Sequence, residues 1–347
     1  MKKRLTAGLL AGVMAMSLMA GCGSSSTAST DTATASGSTA TEAAGKDSYN
    51  MTLIMSQRDQ FLSTLEEAAM DAAAKLNVNL TTQDAQNDAS KQLQYIETSA
   101  NNNEDAVLVN IVDSETGKEC IEAAGDMACV FVNRSLSDNN LLKDYPNAAV
   151  VASNEDTVGP YQVEVLTDYF KEQGKDTVKY ILISGTLGHF SATHRTSSAK
   201  EAMETSGLTW EQVGEDLAGE FDRATAIDVI SPLIGVEDFD CIICNNDEMA
   251  IGAAEALKAK GIDPATIPIT GVDATTDGCE AVKDGTLIMS VFQNPVGQGS
   301  GAIQAAVNII NGKPVNEGTD FELAEDNEQV VYVPFEPVTA DNVDDYM

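Results

Sequence analysis

The chain has 347 residues, 43% of them hydrophobic, and a formal net charge of −34, which allows two well-packed domains. So acidic a surface repels phosphate backbones and anionic headgroups, which argues against nucleic-acid binding. After the first twenty residues no apolar run is long enough to span a membrane.

Lys2, Lys3 and Arg4 precede an apolar run from residue 5 to residue 20, then Gly21 and Cys22. This is the layout of a secretory signal peptide. The small residues before Cys22 resemble a bacterial lipobox, which implies a signal peptide over residues 1–21 and lipidation of Cys22. Met19 departs from the usual leucine, which stands one place earlier as Leu18; an ordinary signal peptide with an incidental cysteine is the alternative. Residues 22–47 are mostly Ser, Thr, Ala and Gly without an apolar period, and read as a flexible tether. Such a tether reaches about 25–30 Å.

The body opens with a strand over 51–56 and a helix over 61–76, with Leu65, Ala68, Ala69 and Ala72 on one face. Strand and helix then alternate: strand 78–81, helix 90–101, strand 106–110, helix 114–125, and strands at 129–133 and 148–152. The pattern restarts with helix 157–173, strand 178–184, helix 191–206, strand 208–213, helix 222–235 and strand 239–244. Asp247 is placed to cap a helix that runs to Lys260 and ends at Gly261. A strand over 269–272 delivers Asp273, and a further helix leads to Gly285. Strand 287–292, helix 297–311 and strand 330–334 complete the chain. The alternation implies parallel sheets with right-handed crossovers, and the restart implies an α/β fold of two doubly wound lobes. The cleft between them is the expected binding site.

Several short motifs carry little. Cys241 and Cys244 lie inside a strand, where a spacing of three puts them on opposite faces, so redox or metal chemistry is not expected. Cys120, Cys129 and Cys279 read as small apolar residues, with a Cys120–Cys129 pairing left open. Gly297, Gly299 and Ala302 fit a loose dinucleotide pattern, but no second strand follows to present an acid to a ribose. Asp273 to Asp284 has only partial calcium-loop spacing. His189 and His194 are five apart, unsuited to two ligands on one helix face, and no hydrolase or P-loop motif occurs.

The polar residues at strand ends form a more coherent set. Asp59 and Phe61 follow the first strand, Asn133 and Arg134 the fourth. His189 and Arg195 follow strand 178–184, Phe221 precedes a helix, and Asn246, Asp273 and Gln293 end three later strands. Ligands of open α/β sheets bind outside these carboxyl ends. Carboxylates, amides and guanidinium groups pair with hydroxyls that donate and accept at once, and aromatic faces cover the apolar side of a sugar ring. For each residue alone, capping is the competing role.

From residue 51 onward the chain resembles the periplasmic sugar-binding proteins of ABC transporters, which share the type I binding-protein fold. The stretches that carry the resemblance are DAQNDASKQ (84–92), VNIVDS (109–114), FVNR (131–134), GTLGHFSATHRT (185–196), NNDEMAIGAAEALKA (245–259), GVDAT (271–275) and YVPFEPVTADN (332–342). The likeness is strongest to the galactose/glucose-binding branch. It implies that Asp59 takes the O4 side of a sugar, Phe61 stacks on it, and Asn133, His189, Arg195, Asn246 and Asp273 hold hydroxyls. Arg134 stands where that branch has Lys, and Gln293 where it has Asn, as in ribose-binding relatives. Ser191 replaces a ligand Asp and Phe221 replaces the stacking Trp. The branch's calcium loop is replaced by the short FKEQGKDTVKY (170–180), so no metal and no cofactor are expected.

The resemblance further implies a monomeric lipoprotein that delivers a monosaccharide to the permease subunits of an ABC transporter. One lobe is expected over 48–151 plus 295–327 and the other over 155–292 plus 332–347, joined by three hinge crossings near 152–154, 293–294 and 328–331. Pyranose, pentose, inositol and acidic sugar stay open as ligands. The competing readings are a secreted sensor that presents sugar to a membrane receptor, and a carbohydrate enzyme.

Overall fold

The computed structural model describes Lys46 and residues 48–347, so the expected signal peptide, Cys22 and almost all of the tether lie outside the described residues. In chain order the first half runs β1 (Tyr49–Met55), α1 (Gln60–Lys75), β2 (Val78–Asp84), α2 (Ala89–Asn101), β3 (Ala106–Val109), α3 (Gly117–Ala124), β4 (Ala128–Asn133) and β5 (Ala148–Ala152). It continues with α4 (Val158–Glu172), β6 (Thr177–Ser184), α5 (Phe190–Thr205), β7 (Thr209–Gln212), β8 (Leu217–Ala218), α6 (Arg223–Ile230), β9 (Cys241–Cys244) and α7 (Asp247–Ala259). The last part is β10 (Ile269–Thr270), α8 (Thr276–Lys283), β11 (Met289–Gln293), α9 (Pro295–Ile310), β12 (Glu322–Ala324), β13 (Asn327–Tyr332) and β14 (Phe335–Thr339).

The strands form two sheets, one in the order β12-β13-β5-β4-β3-β1-β2, the other β14-β11-β10-β9-β6-β7 with β8 beside β6. Their central strands are parallel and buried at every position, as in β3, β5 and β9. Strands covered by helices on both faces must be apolar throughout. In the first lobe α1 and α9 pack on one face, α2 and α3 on the other. In the second, α6 and α7 cover one face, α4 and α5 the other. Cys241 and Cys244 belong to opposite faces of β9, as the strand period requires. The five cysteines of the described residues are buried and free, so Cys120 and Cys129 do not pair.

Three details depart from the expectation. The sheet edges are antiparallel: β12 pairs with β13, and β14 with β11. Pro337 sits in the middle of β14, which only an edge strand tolerates, because one side needs no donor. The third crossing lies later than 328–331. Val331 and Tyr332 still pair with Val151 and Ala152 in the first sheet, and the chain joins the second sheet only at Phe335. Residues 328–332 are therefore part of a strand of the first lobe. Finally, the helix expected over 222–235 stops at Ile230: Ser231 keeps helical dihedrals, but Pro232 has no N–H with which to continue the ladder.

Candidate binding site

The carboxyl ends of both sheets face a common cleft, where ligands of open α/β sheets bind. All ten residues singled out from the sequence line it, together with Gln57, Gln60, Leu62, Ser191, Glu248 and Thr275. Phe61 comes from the first lobe and Phe221 from the second, so each lobe contributes one aromatic ring. The Phe221 ring occupies the space that a side chain at Gly185 would need, and meets His189 edge-on at 5.1 Å between centroids.

Several of these side chains are helix caps as well as cleft residues. Asp59 Oδ1 accepts from the Leu62 N–H at 2.7 Å and starts α1, while Oδ2 accepts from Gln57 at 3.2 Å. Asn246 Oδ1 accepts from the Met249 N–H at 3.0 Å and starts α7. The expected cap, Asp247, does not cap: it is the first helical residue and is turned inward. His189 Nδ1 accepts from the Ser191 N–H at 3.2 Å and starts α5. A neutral imidazole that accepts at Nδ1 carries its proton on Nε2. Asn133 is bound on both amide atoms, accepting from Asn110 at 3.1 Å and donating to Gln298 at 3.1 Å.

The electrostatic centre of the cleft is Arg195, which is almost wholly buried. It pairs bidentately with Glu155 at 2.6 and 3.1 Å, donates to the Asn245 carbonyl at 2.8 Å and to Gln293 at 3.4 Å, and lies 3.8 Å from Asp273. Its guanidinium also sits over the Phe335 ring. Burial alone would weaken its charge, but Glu155 and Asp273 overcome that and raise its pKa. Burial pushes the Asp273 carboxyl well above the usual range; Arg195 opposes the shift, and Asp247, Asp59 and Glu155 add to it. Burial lowers Arg134 to about 10, with Asp59 resisting, so it remains cationic at neutral pH. It donates to the Ile111 carbonyl at 3.0 Å. Burial, then Arg134 and Arg195, push His189 down to about 3.

Two buried groups at the cleft have unused hydrogen-bonding capacity. Gln293 Nε2 has no partner, and the Asp273 carboxylate accepts no hydrogen bond among the described residues. Three of the lining residues, Asn133, Phe221 and Asp273, adopt positive φ of 68°, 57° and 107°, a region that residues with side chains rarely occupy. Such strain gathers at binding sites. Sequence reading missed Glu155, which neutralises Arg195 from a short turn after β5, and Gln298, which anchors Asn133 from α9. Neither stands at the end of a strand next to a recognisable motif.

Two α/β lobes around a cleft lined by amides, carboxylates and aromatic rings have the architecture of a solute-binding protein. The chain belongs to the periplasmic binding protein family: the model of the periplasmic binding protein domain matches residues 52–314. Curated relatives include a putative rhizopine-binding protein of Rhizobium meliloti, 33% identical over 83% of this chain and 89% of that protein. The D-galactose/methyl-galactoside binding periplasmic protein MglB of Haemophilus influenzae is 30% identical over 83% and 88%. Among solved structures, an ABC transporter solute binding protein from Bacillus halodurans with bound myo-inositol is 28% identical, with a TM-score of 0.72 over 87% of this chain and 99% of that one.

Proposed function

We propose that the protein captures a neutral monosaccharide, a galactose- or glucose-like hexose, in the interlobe cleft and delivers it to an ABC permease from the outer face of the cell membrane, held there as a monomer by a lipid on Cys22. The observation that carries this reading is the pair of unspent polar groups at the cleft: a buried Asp273 carboxylate without a donor and a buried Gln293 amide without an acceptor. A hydroxyl serves both, since it donates to one and accepts from the other. Phe61 and Phe221 offer the apolar faces that a ring's C–H side needs. The relatives named for galactose and for rhizopine support a small polar solute. A cyclitol is the second reading, supported by the relative that holds myo-inositol.

Calorimetric titration of the purified protein with D-galactose, D-glucose, D-ribose and myo-inositol tests the proposal. A single tight one-to-one binder among the hexoses is the expected result. Tight binding of myo-inositol alone moves the reading to a cyclitol. Folded protein that binds none of the four refutes a simple-sugar cleft.

A further inference from the structure

Asp247 is fully buried, lies behind the cleft wall rather than on it, and is densely bonded. Its Oδ1 accepts from Ser290 Oγ at 2.6 Å; its Oδ2 accepts from the Thr275 N–H at 2.9 Å and the Thr275 hydroxyl at 3.2 Å. Ser290 Oγ accepts in turn from the Ala274 N–H at 3.0 Å. The backbone N–H of Asp247 donates to the Val272 carbonyl at 2.8 Å. These partners surround Asp273 on both sides in the chain, with Ser290 on the neighbouring strand β11. A side chain at Gly271 or Gly278 would overlap the Asp247 carboxylate, so the chain leaves room for it at two points.

What these bonds hold is a turn in need of holding. Asp273 has φ 107° and Ala274 φ 46°, two consecutive residues in a region that L side chains disfavour. Such a conformation persists only where its surroundings over-determine it. The two amides that follow Asp273 are both fixed from Asp247, one directly and one through Ser290.

We infer that Asp247 is a positioning residue for ligand binding: its carboxylate pins the left-handed Asp273–Ala274 turn and so aims the Asp273 carboxylate into the cleft, without touching the sugar. The inference rests on the proposed role of Asp273 as a sugar acceptor. Asp247→Ala in the full-length protein is expected to raise Kd about tenfold for whichever of D-galactose and myo-inositol binds more tightly. Asp247→Asn keeps an acceptor for Thr275 and should recover most of that loss. In an Asp273→Asn background the Asp247→Ala penalty should largely vanish, because the carboxylate it aims is gone. In the sugar-free protein, Asp247→Ala should speed hydrogen exchange at Ala274 and Thr275 by about tenfold while the β9 amides keep their protection.

An unchanged Kd, or a penalty undiminished in the Asp273→Asn background, overturns the proposal. So does unaltered exchange at Ala274 and Thr275. If Asp247→Ala does not fold, Ser290→Ala, which cuts the link to Ala274 alone, takes its place in the same measurements. Should neither sugar bind the wild type while exchange responds as expected, the sugar reading of the cleft fails and the pinning of the turn stands.

Discussion

At Asp59, His189 and Asn246, capping a helix and facing the cleft are one role. Each spends one acceptor on a backbone N–H, which fixes its rotamer and leaves its remaining polar atom in a set direction. At His189 the cap also sets the tautomer. An unfolded histidine takes up a proton below about pH 6.5, whereas His189 in the fold resists down to about 3. The folded state thus binds fewer protons in that window, so the stability it contributes is complete above the unfolded pKa and is lost as pH falls toward 3. Imidazole ¹⁵N NMR should show His189 neutral and protonated at Nε2 from pH 8 to pH 5; a cationic ring at pH 6 would contradict the assigned cause. Arg195 tests charge balance. Its removal in Arg195→Ala leaves Glu155 buried without a partner, which should cost roughly 3–5 kcal/mol in urea denaturation and abolish sugar binding. Arg195→Lys should not restore it, since one ammonium cannot reproduce the bidentate pair. Asp273 and Asn246 were legible because a polar residue at the end of an apolar strand is conspicuous. Glu155 and Gln298 were not, because their partners are 40 and 165 residues away in sequence.

Among the elements, the buried parallel strands and the long amphipathic helices follow from periodicity alone, and the edges do not. β14 is interrupted by Pro337, and β8 is only two residues long, too short to show a period. Gly297, Gly299 and Ala302, which mimic a dinucleotide fingerprint, have a packing cause. Gly299 lies on α9 against α1, where a side chain would press on the Leu65 carbonyl and the Ala69 amide. Both contacts are backbone and cannot swing away. Gly299→Ala should therefore part the two helices and lose about 1–3 kcal/mol by chemical denaturation, despite the better helix propensity of alanine. A gain in stability would show that the helices have slack.

For the whole molecule, the restart of the strand–helix pattern announces two lobes, but the point where the chain crosses for the third time depends on pairing between β13 and β5, which no local pattern reveals. Three crossings side by side make hinge closure the natural motion, and the conformation described has the lobes in contact: Gln60 on α1 donates to Asp277 on α8 at 3.4 Å. Asp277 does not line the cleft. The Gln60 bond exists only with the lobes together, so losing it lowers the closed state's population, and a ligand that binds the closed state loses apparent affinity by that drop. One exposed hydrogen bond is worth about 0.5–1 kcal/mol, so Asp277→Ala should raise Kd about threefold, chiefly through faster release. The half-buried pair of Asp277 with Arg223 lies within one lobe, so its loss weakens open and closed states alike and leaves the balance between them unchanged. The decisive feature is uniformity. A closure effect lowers affinity by the same factor for every sugar that binds, whereas a direct contact discriminates among them. Surface plasmon resonance with two sugars of different affinity separates these cases, and a factor that differs between them would place Asp277 against the ligand instead of across the lobes.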